Sequence, residues 1–218
     1  MKAIICVLAA ALFSACATVS PHDSMQADVD QAAAIIERFE AMPEKGIPPA
    51  VIKAARGVAI LTVTRAGFIG SARTGRGVVV ARTEKGWSAP SAIRTGGLGI
   101  GFQAGVDITE FVIVLNTPAA VDAFAKQGNV TLGGNLSVAA GPLGRSAEGG
   151  VALQAAMYSY SRSQGLFAGV SLEGTGIGTR DDANAAYYGN SVTAGEILSG
   201  RVQPPAGTRN LLAALSKY

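Results

Sequence analysis

Side chains able to do covalent or metal chemistry are few in this 218-residue chain. His22 is the only histidine, and Cys6 and Cys16 are the only cysteines. One imidazole near the N-terminus leaves neither a Ser-His-Asp triad nor a multi-histidine metal site for the remainder. Two carboxylate pairs stand out, Asp107 with Glu110 and Asp181 with Asp182. Such pairs can serve glycoside hydrolysis or hold a hard cation. Asp181 and Asp182 fall where a helix is expected to begin, a position the helix dipole favours for acids. Both pairs read as structural, so no catalytic residue, metal ligand or cofactor is expected. A hydrolase acting through Asp107, Glu110 and Glu173 is the competing reading. The string Gly96-Gly97-Leu98-Gly99-Ile100-Gly101 invites a nucleotide-binding assignment. It lacks the G-x-G-x-x-G spacing, a surrounding βαβ unit and a P-loop lysine, and reads as a glycine-rich strand or turn.

Cys16 has a chemistry of its own. Lys2 precedes an apolar run over residues 3–13, and Ser14 and Ala15 supply small residues before the cysteine. The run is too short to cross a hydrocarbon core of roughly 30 Å as a helix, so residues 1–15 read as a signal peptide. Leu12-Phe13-Ser14-Ala15-Cys16 resembles a lipobox, whose cysteine becomes an acylated N-terminus; Phe13 departs from the commoner leucine. Residues 16–26 would then be the acylated N-terminus and a polar tether, and residues 27–218 one domain. Ala17, where an aspartate would resemble an inner-membrane retention signal, favours the outer membrane, facing the periplasm. With Cys6 removed and Cys16 modified, no thiol is left for a disulfide or a nucleophile.

Charge is unevenly spread. Residues 53–94 carry Lys53, Arg56, Arg65, Arg73, Arg76, Arg82, Lys85 and Arg94 against Glu84 alone, a segment charge of +7 in a chain of +3. Residues 23–44 hold six acids against Arg38. The basic stretch suits anionic lipid headgroups, at roughly 1 kcal/mol per well-placed cation. It suits equally a solvated surface partly paired with the acidic segment. Nucleic acid is a poor partner for an exported chain.

The elements that must position these residues follow from periodicity. Val29, Ala32, Ala33, Ile36 and Phe39 recur at helical spacing, predicting an amphipathic helix over 28–42 stopped by Pro43. A short helix over 50–55 follows Pro48-Pro49. Valine- and isoleucine-rich runs bounded by glycine predict strands at 58–63, 77–82, 87–93, 99–106, 111–115, 129–139, 151–161 and 166–172. Helices are expected at 118–126, 180–188, 192–198 and 208–215. Helix, then many strands, then helix indicates α+β. The glycines within strand patterns suggest sharp curvature: a strongly curled, barrel-like antiparallel sheet with N-terminal and C-terminal helices.

Long ungapped strings then carry a resemblance. They include Ile47-Pro48-Pro49, Gly86-Trp87-Ser88-Ala89-Pro90-Ser91-Ala92-Ile93 and Thr131-Leu132-Gly133-Gly134-Asn135. Ala140-Gly141-Pro142-Leu143-Gly144-Arg145 and Gly165-Leu166-Phe167-Ala168-Gly169-Val170-Ser171-Leu172-Glu173-Gly174 continue the series. Over residues 27–205 the chain is similar to the SYLF domain family. That resemblance implies lipid binding, with phosphoinositides preferred in eukaryotic members and actin bound by some. It supplies no catalytic residues, and leaves Arg145 and Glu173 open between an internal ion pair and a site. Eukaryotic members lean towards lysine-rich helices ahead of the Ile-Pro-Pro segment; the matching helix here is acidic, which moves the expected membrane contact to the basic stretch.

The expectation is therefore a lipid-anchored protein of the bacterial cell envelope, acylated at Cys16. Lys53, Arg56, Arg65, Arg73, Arg76 and Arg82 would contact the headgroups of an anionic phospholipid membrane. The alternative is a structural protein docking another envelope component through its glycine-rich sheet.

Overall fold

The computed structural model describes residues 20–42, 46–67, 70–100, 105–126, 130–131, 137–141, 155–164 and 175–218. The signal segment, Cys16, Arg145, Glu173 and the strand expected at 166–172 lie outside the described residues.

Helix α1 (Pro21–Glu40) begins seven residues before the periodicity placed it. Ser20 caps it, its hydroxyl accepting from the Asp23 amide at 3.1 Å, and Pro21 occupies the first turn, where its missing N–H costs nothing. Residues 21–26, expected within a tether, are therefore helical, and Ser24 and Met25 are buried. The apolar stripe is correspondingly longer, running Met25, Val29, Ala32, Ile36, Phe39. Helix α2 (Pro49–Ala54) follows, again with proline at its start.

The sheet is a strongly curled half-barrel. Its strands are β1 (Gly57–Gly67), β2 (Gly70–Thr83), β3 (Gly86–Trp87), β4 (Ser91–Ile100), β5 (Gly105–Leu115), β6 (Val130–Thr131), β7 (Val138–Ala140), β8 (Met157–Gln164) and β9 (Gly176–Thr179). The order is β6-β9-β4-β2-β1-β5-β8-β7, with β3 paired to β2. All pairs are antiparallel except β7 with β8. The glycine-rich string lies along β4 as far as Ile100, so its described part is strand.

Both faces of the central strands are covered. On one face Val58, Ile60, Val78, Val80, Val112 and Val114 pack with α1, α2, helix α4 (Asp181–Tyr188) and helix α6 (Arg209–Ser216). On the other, Ala59, Leu61, Val79, Phe111, Ile113 and Leu115 pack with helix α3 (Pro118–Ala125) and helix α5 (Ala194–Leu198). Strands buried on both sides carry unbroken apolar runs rather than alternation, which is why Val78-Val79-Val80 needs no polar member. The ends of the elements are specified locally. Thr193 and Glu196 form a reciprocal capping box at α5, and Gly189 closes α4 at φ 73.

Candidate functional site: the open end of the sheet

Beyond α1 no described helix covers the β1–β2 hairpin and β5, and the register there fixes which side chains meet. Arg65 on β1 stands opposite Arg73 on β2 and, on its other side, opposite Asp107 on β5. Directly opposed residues share a face, so the two guanidinium stems are neighbours about 5 Å apart at their base. Like charges placed so are unfavourable unless an anion or a carboxylate answers them. Asp107 does not: it is buried, and the hydroxyls of Thr109 (2.7 Å) and Ser163 donate to its two oxygens. Among the described residues the side chains of Arg65 and Arg73 make no ion pair or hydrogen bond. Arg73 lies across β4, where a Cβ on Gly97 would stand 2.9 Å from its Nε.

The same end carries Val106, 65% exposed, and Ile108, 41% exposed, the only large apolar side chains exposed among the described residues. They point to the face opposite Arg65 and Arg73 and occupy neighbouring rungs.

The other expected headgroup residues are elsewhere. Arg76 is three residues further in, opposite Arg94, and its Nε sits 2.9 Å from Asp28 of α1. Arg180 holds the second Asp28 oxygen at 2.7 Å, and both arginines reach the Ser24 hydroxyl. Burial pushes the Asp28 carboxyl above its ordinary value, against the opposing pull of Arg76 and Arg180. Arg82 is at the opposite end of β2. It donates to the carbonyls of Ile52 (3.0 Å) and Ala55 (3.3 Å) and lies 4.1 Å over the Trp87 ring. Burial lowers its pKa. Lys53 and Arg56 are exposed at that far end as well. From Gly57 to Arg65 is about 26 Å of strand at ~3.3 Å per residue. The six cations thus form no single patch: Arg65 and Arg73 are at one end, Lys53, Arg56 and Arg82 at the other, and Arg76 is bound into the fold.

The first carboxylate pair separates too. Asp107 and Glu110 are three apart on a strand and so project from opposite faces. Glu110 is engaged by Arg38 and Arg162. Asp181 and Asp182 are exposed in the first turn of α4, where the dipole favours them.

Sequence reasoning missed Val106 and Ile108 as members of an exposed cluster, because only the pairing of β5 with β1 brings them beside the hairpin. It also missed a cavity beneath α1, described below. No described helix is long and apolar enough to cross a membrane.

A family profile described as "Las17-binding protein actin regulator" matches residues 96–218, more than half of the chain. The chain belongs to the Ysc84 (SYLF) family. Ysc84-family relatives include an SH3 domain-containing protein of Schizosaccharomyces pombe, 53% identical over 175 residues, covering 78% of this chain and 41% of that protein. LAS seventeen-binding protein 3 of Saccharomyces cerevisiae is 48% identical over 205 residues, covering 88% and 44%. The human SH3 domain-containing YSC84-like protein 1 is 47% identical over 203 residues, covering 89% and 59%. This Ysc84-family chain therefore spans about two to three fifths of the length of these relatives.

Proposed function

We propose that this domain docks end-on against anionic membranes. The observation that carries the reading is the pairing of two arginines, Arg65 and Arg73, that have no side-chain partner among the described residues with the exposed Val106 and Ile108 at one end of the sheet. Aliphatic side chains enter the boundary between headgroups and acyl chains, while the guanidinium groups meet phosphates, giving two cooperating signals. The lipobox-like Cys16 would add a third contact as an acyl anchor in a bacterial envelope, with this end of the domain facing the leaflet that holds it. Of the carboxylates that could serve a hydrolase, Asp107 and Glu110 project from opposite faces, Asp107 held by hydroxyls and Glu110 by arginines; Glu173 lies outside the described residues.

The relatives' names point to protein partners, Las17 among them. Docking a protein through the same end is the outcome to be separated from lipid binding.

The test is co-sedimentation of the Cys16→Ala chain with phosphatidylcholine vesicles, alone or carrying phosphatidylglycerol, at low and physiological salt. Binding confined to anionic vesicles, and weakened by salt, is expected. Arg65→Ala with Arg73→Ala removes about 2 kcal/mol of attraction, or roughly 30-fold in affinity, while Lys53→Ala with Arg56→Ala changes it less than threefold. Equal losses from both double variants, or no vesicle binding by the parent chain, would sink the assignment.

A further inference from the structure

The face that carries Ile108 and Val106 also carries a cavity. It has a volume of about 610 Å³ and lies between α1 and the β1–β2 hairpin. Thr62, Thr64 and Thr74 line its sheet side, with Thr64 directly opposite Thr74 and Thr62 one rung further in. Asp28 and Gln31 line its helix side. A space of this size accommodates a small polar molecule.

The hydrogen-bonding capacity in it is neutral. Asp28 is closed by Arg76 and Arg180, at 2.9 and 2.7 Å. What remains open is hydroxyl and amide: Thr64, Thr74 and the exposed Gln31 have no side-chain bond among the described residues. The Thr62 hydroxyl oxygen is buried with no hydrogen-bond partner. Its neighbours across the sheet, Arg76 and Glu110, are both turned to other partners. A buried hydroxyl left alone costs about 1–3 kcal/mol, and Thr62 is one of the residues that wall the cavity. Water could supply a partner, but the cavity's position suggests more. One rung outward from Thr62, Thr64 stands opposite the exposed Ile108, and the next rung brings Val106 opposite Ala66. A polar recess thus opens onto an apolar lip.

We propose that the cavity receives the uncharged, hydroxyl-bearing part of one lipid headgroup, a glycerol or a sugar, while the lipid's chains leave past Ile108 and Val106. The recognition is by hydroxyl groups rather than by charge. It rests on the membrane-docking reading and adds to it a selectivity that the surface arginines cannot supply.

The experiment compares phosphatidylglycerol with phosphatidylserine at equal mole fraction in phosphatidylcholine vesicles, using the Cys16→Ala chain. The two lipids carry the same net charge, but one ends in a glycerol and the other in a serine. A preference of about five- to tenfold for phosphatidylglycerol is expected, the equivalent of one or two hydrogen bonds. Thr62→Val with Thr64→Val should bring phosphatidylglycerol down to the phosphatidylserine level and leave the latter unchanged. Thr62 has no partner to lose, so Thr62→Val alone is expected to keep or raise the parent's urea midpoint. Equal binding of the two lipids overturns this inference and leaves the docking reading standing; binding of neither overturns both. A separate titration with free glycerol and methyl glucoside, followed at the amides of Thr62, Thr64 and Thr74, distinguishes the sources. Shifts there without any vesicle preference would assign the cavity to a soluble polyol and overturn the lipid assignment.

Discussion

Arg38 on α1 and Glu110 on β5 meet as a two-pronged ion pair, Nη2 to Oε1 at 2.6 Å and Nε to Oε2 at 3.1 Å, across 72 residues of sequence. Glu110 is 2% exposed, and Arg162 on β8 approaches its second oxygen at 3.3 Å. Asp28 plays the same part nearer the start of α1, held between Arg76 of β2 and Arg180. The first helix is therefore moored to the sheet at two points along its length, and the cavity is the gap spanned between α1 and the sheet.

Arg38→Ala should be costly in stability and silent in lipid binding. It leaves a buried carboxylate facing Arg162 alone, and breaking a buried pair on one side costs about 3 kcal/mol. Partial exposure of Arg38 reduces this to about 2 kcal/mol. The urea midpoint falls accordingly, while vesicle affinity per folded molecule is unchanged. A variant as stable as the parent would show that Glu110 is answered by Arg162 alone.

Asp28 gives a pH signature. Its carboxyl is raised in the folded protein by burial, so the native state holds its proton more tightly than the unfolded chain does. Between the ordinary carboxyl value near 3.8 and the raised folded value, the native state binds more protons, and stability falls as pH rises. The penalty is absent below that window and complete above it. Asp28→Asn lacks this component. Urea midpoints of the parent and Asp28→Asn, compared from acid to neutral pH, should show the parent gaining on the variant as pH falls through the window. A constant difference would mean that Asp28 titrates alike in both states.

Arg82 separates structure from surface. Its guanidinium closes the carbonyls at the end of α2 and stacks on Trp87, whose indole nitrogen donates to Leu215 at 3.1 Å. Arg82→Ala loses charged hydrogen bonds and a stacking contact, about 2–3 kcal/mol together, and exposes Trp87. A red-shifted Trp87 emission with lowered stability and unaltered vesicle affinity is the expected result. Weaker vesicle binding by the folded variant would return Arg82 to the headgroup surface.

Several of these relationships were legible in the sequence. Pro49 and Pro118 marked their helices, the valine run marked β2 as a strand, and glycine density marked the curl. The start of α1 was missed because Ser20-Pro21, a cap followed by a first-turn proline, was read as tether. Met25, four residues before Val29, was the signal that could have corrected it. Strand β9 was missed because two of its four residues are glycine and only Ile177 offers an apolar side chain. The site was less legible than the fold. Summing charge over residues 53–94 treats as one patch cations that β1 and β2 carry to opposite ends and opposite faces. Nor can spacing show that Asp28 takes up Arg76, since that depends on how α1 crosses the sheet.

Gly97 tests the arginine pair without touching either arginine. A methyl group there would stand 2.9 Å from the Arg73 Nε, and the other close atoms belong to the same flexible side chain. The backbone therefore has no clash to relieve, and Gly97→Ala is expected to shift stability by less than about 1 kcal/mol. The guanidinium must lift off β4, altering its position beside Arg65. If these two groups grip one phosphate together, the displacement weakens anionic-vesicle binding by a few-fold, less than Arg73→Ala does, and leaves the salt dependence in place. Gly96→Ala is the control: its nearest neighbour is the Arg73 carbonyl oxygen at 3.8 Å, ordinary contact, and its methyl projects to the opposite face. Equal effects from Gly96→Ala and Gly97→Ala would show that strand β4 itself, rather than the position of Arg73, governs binding.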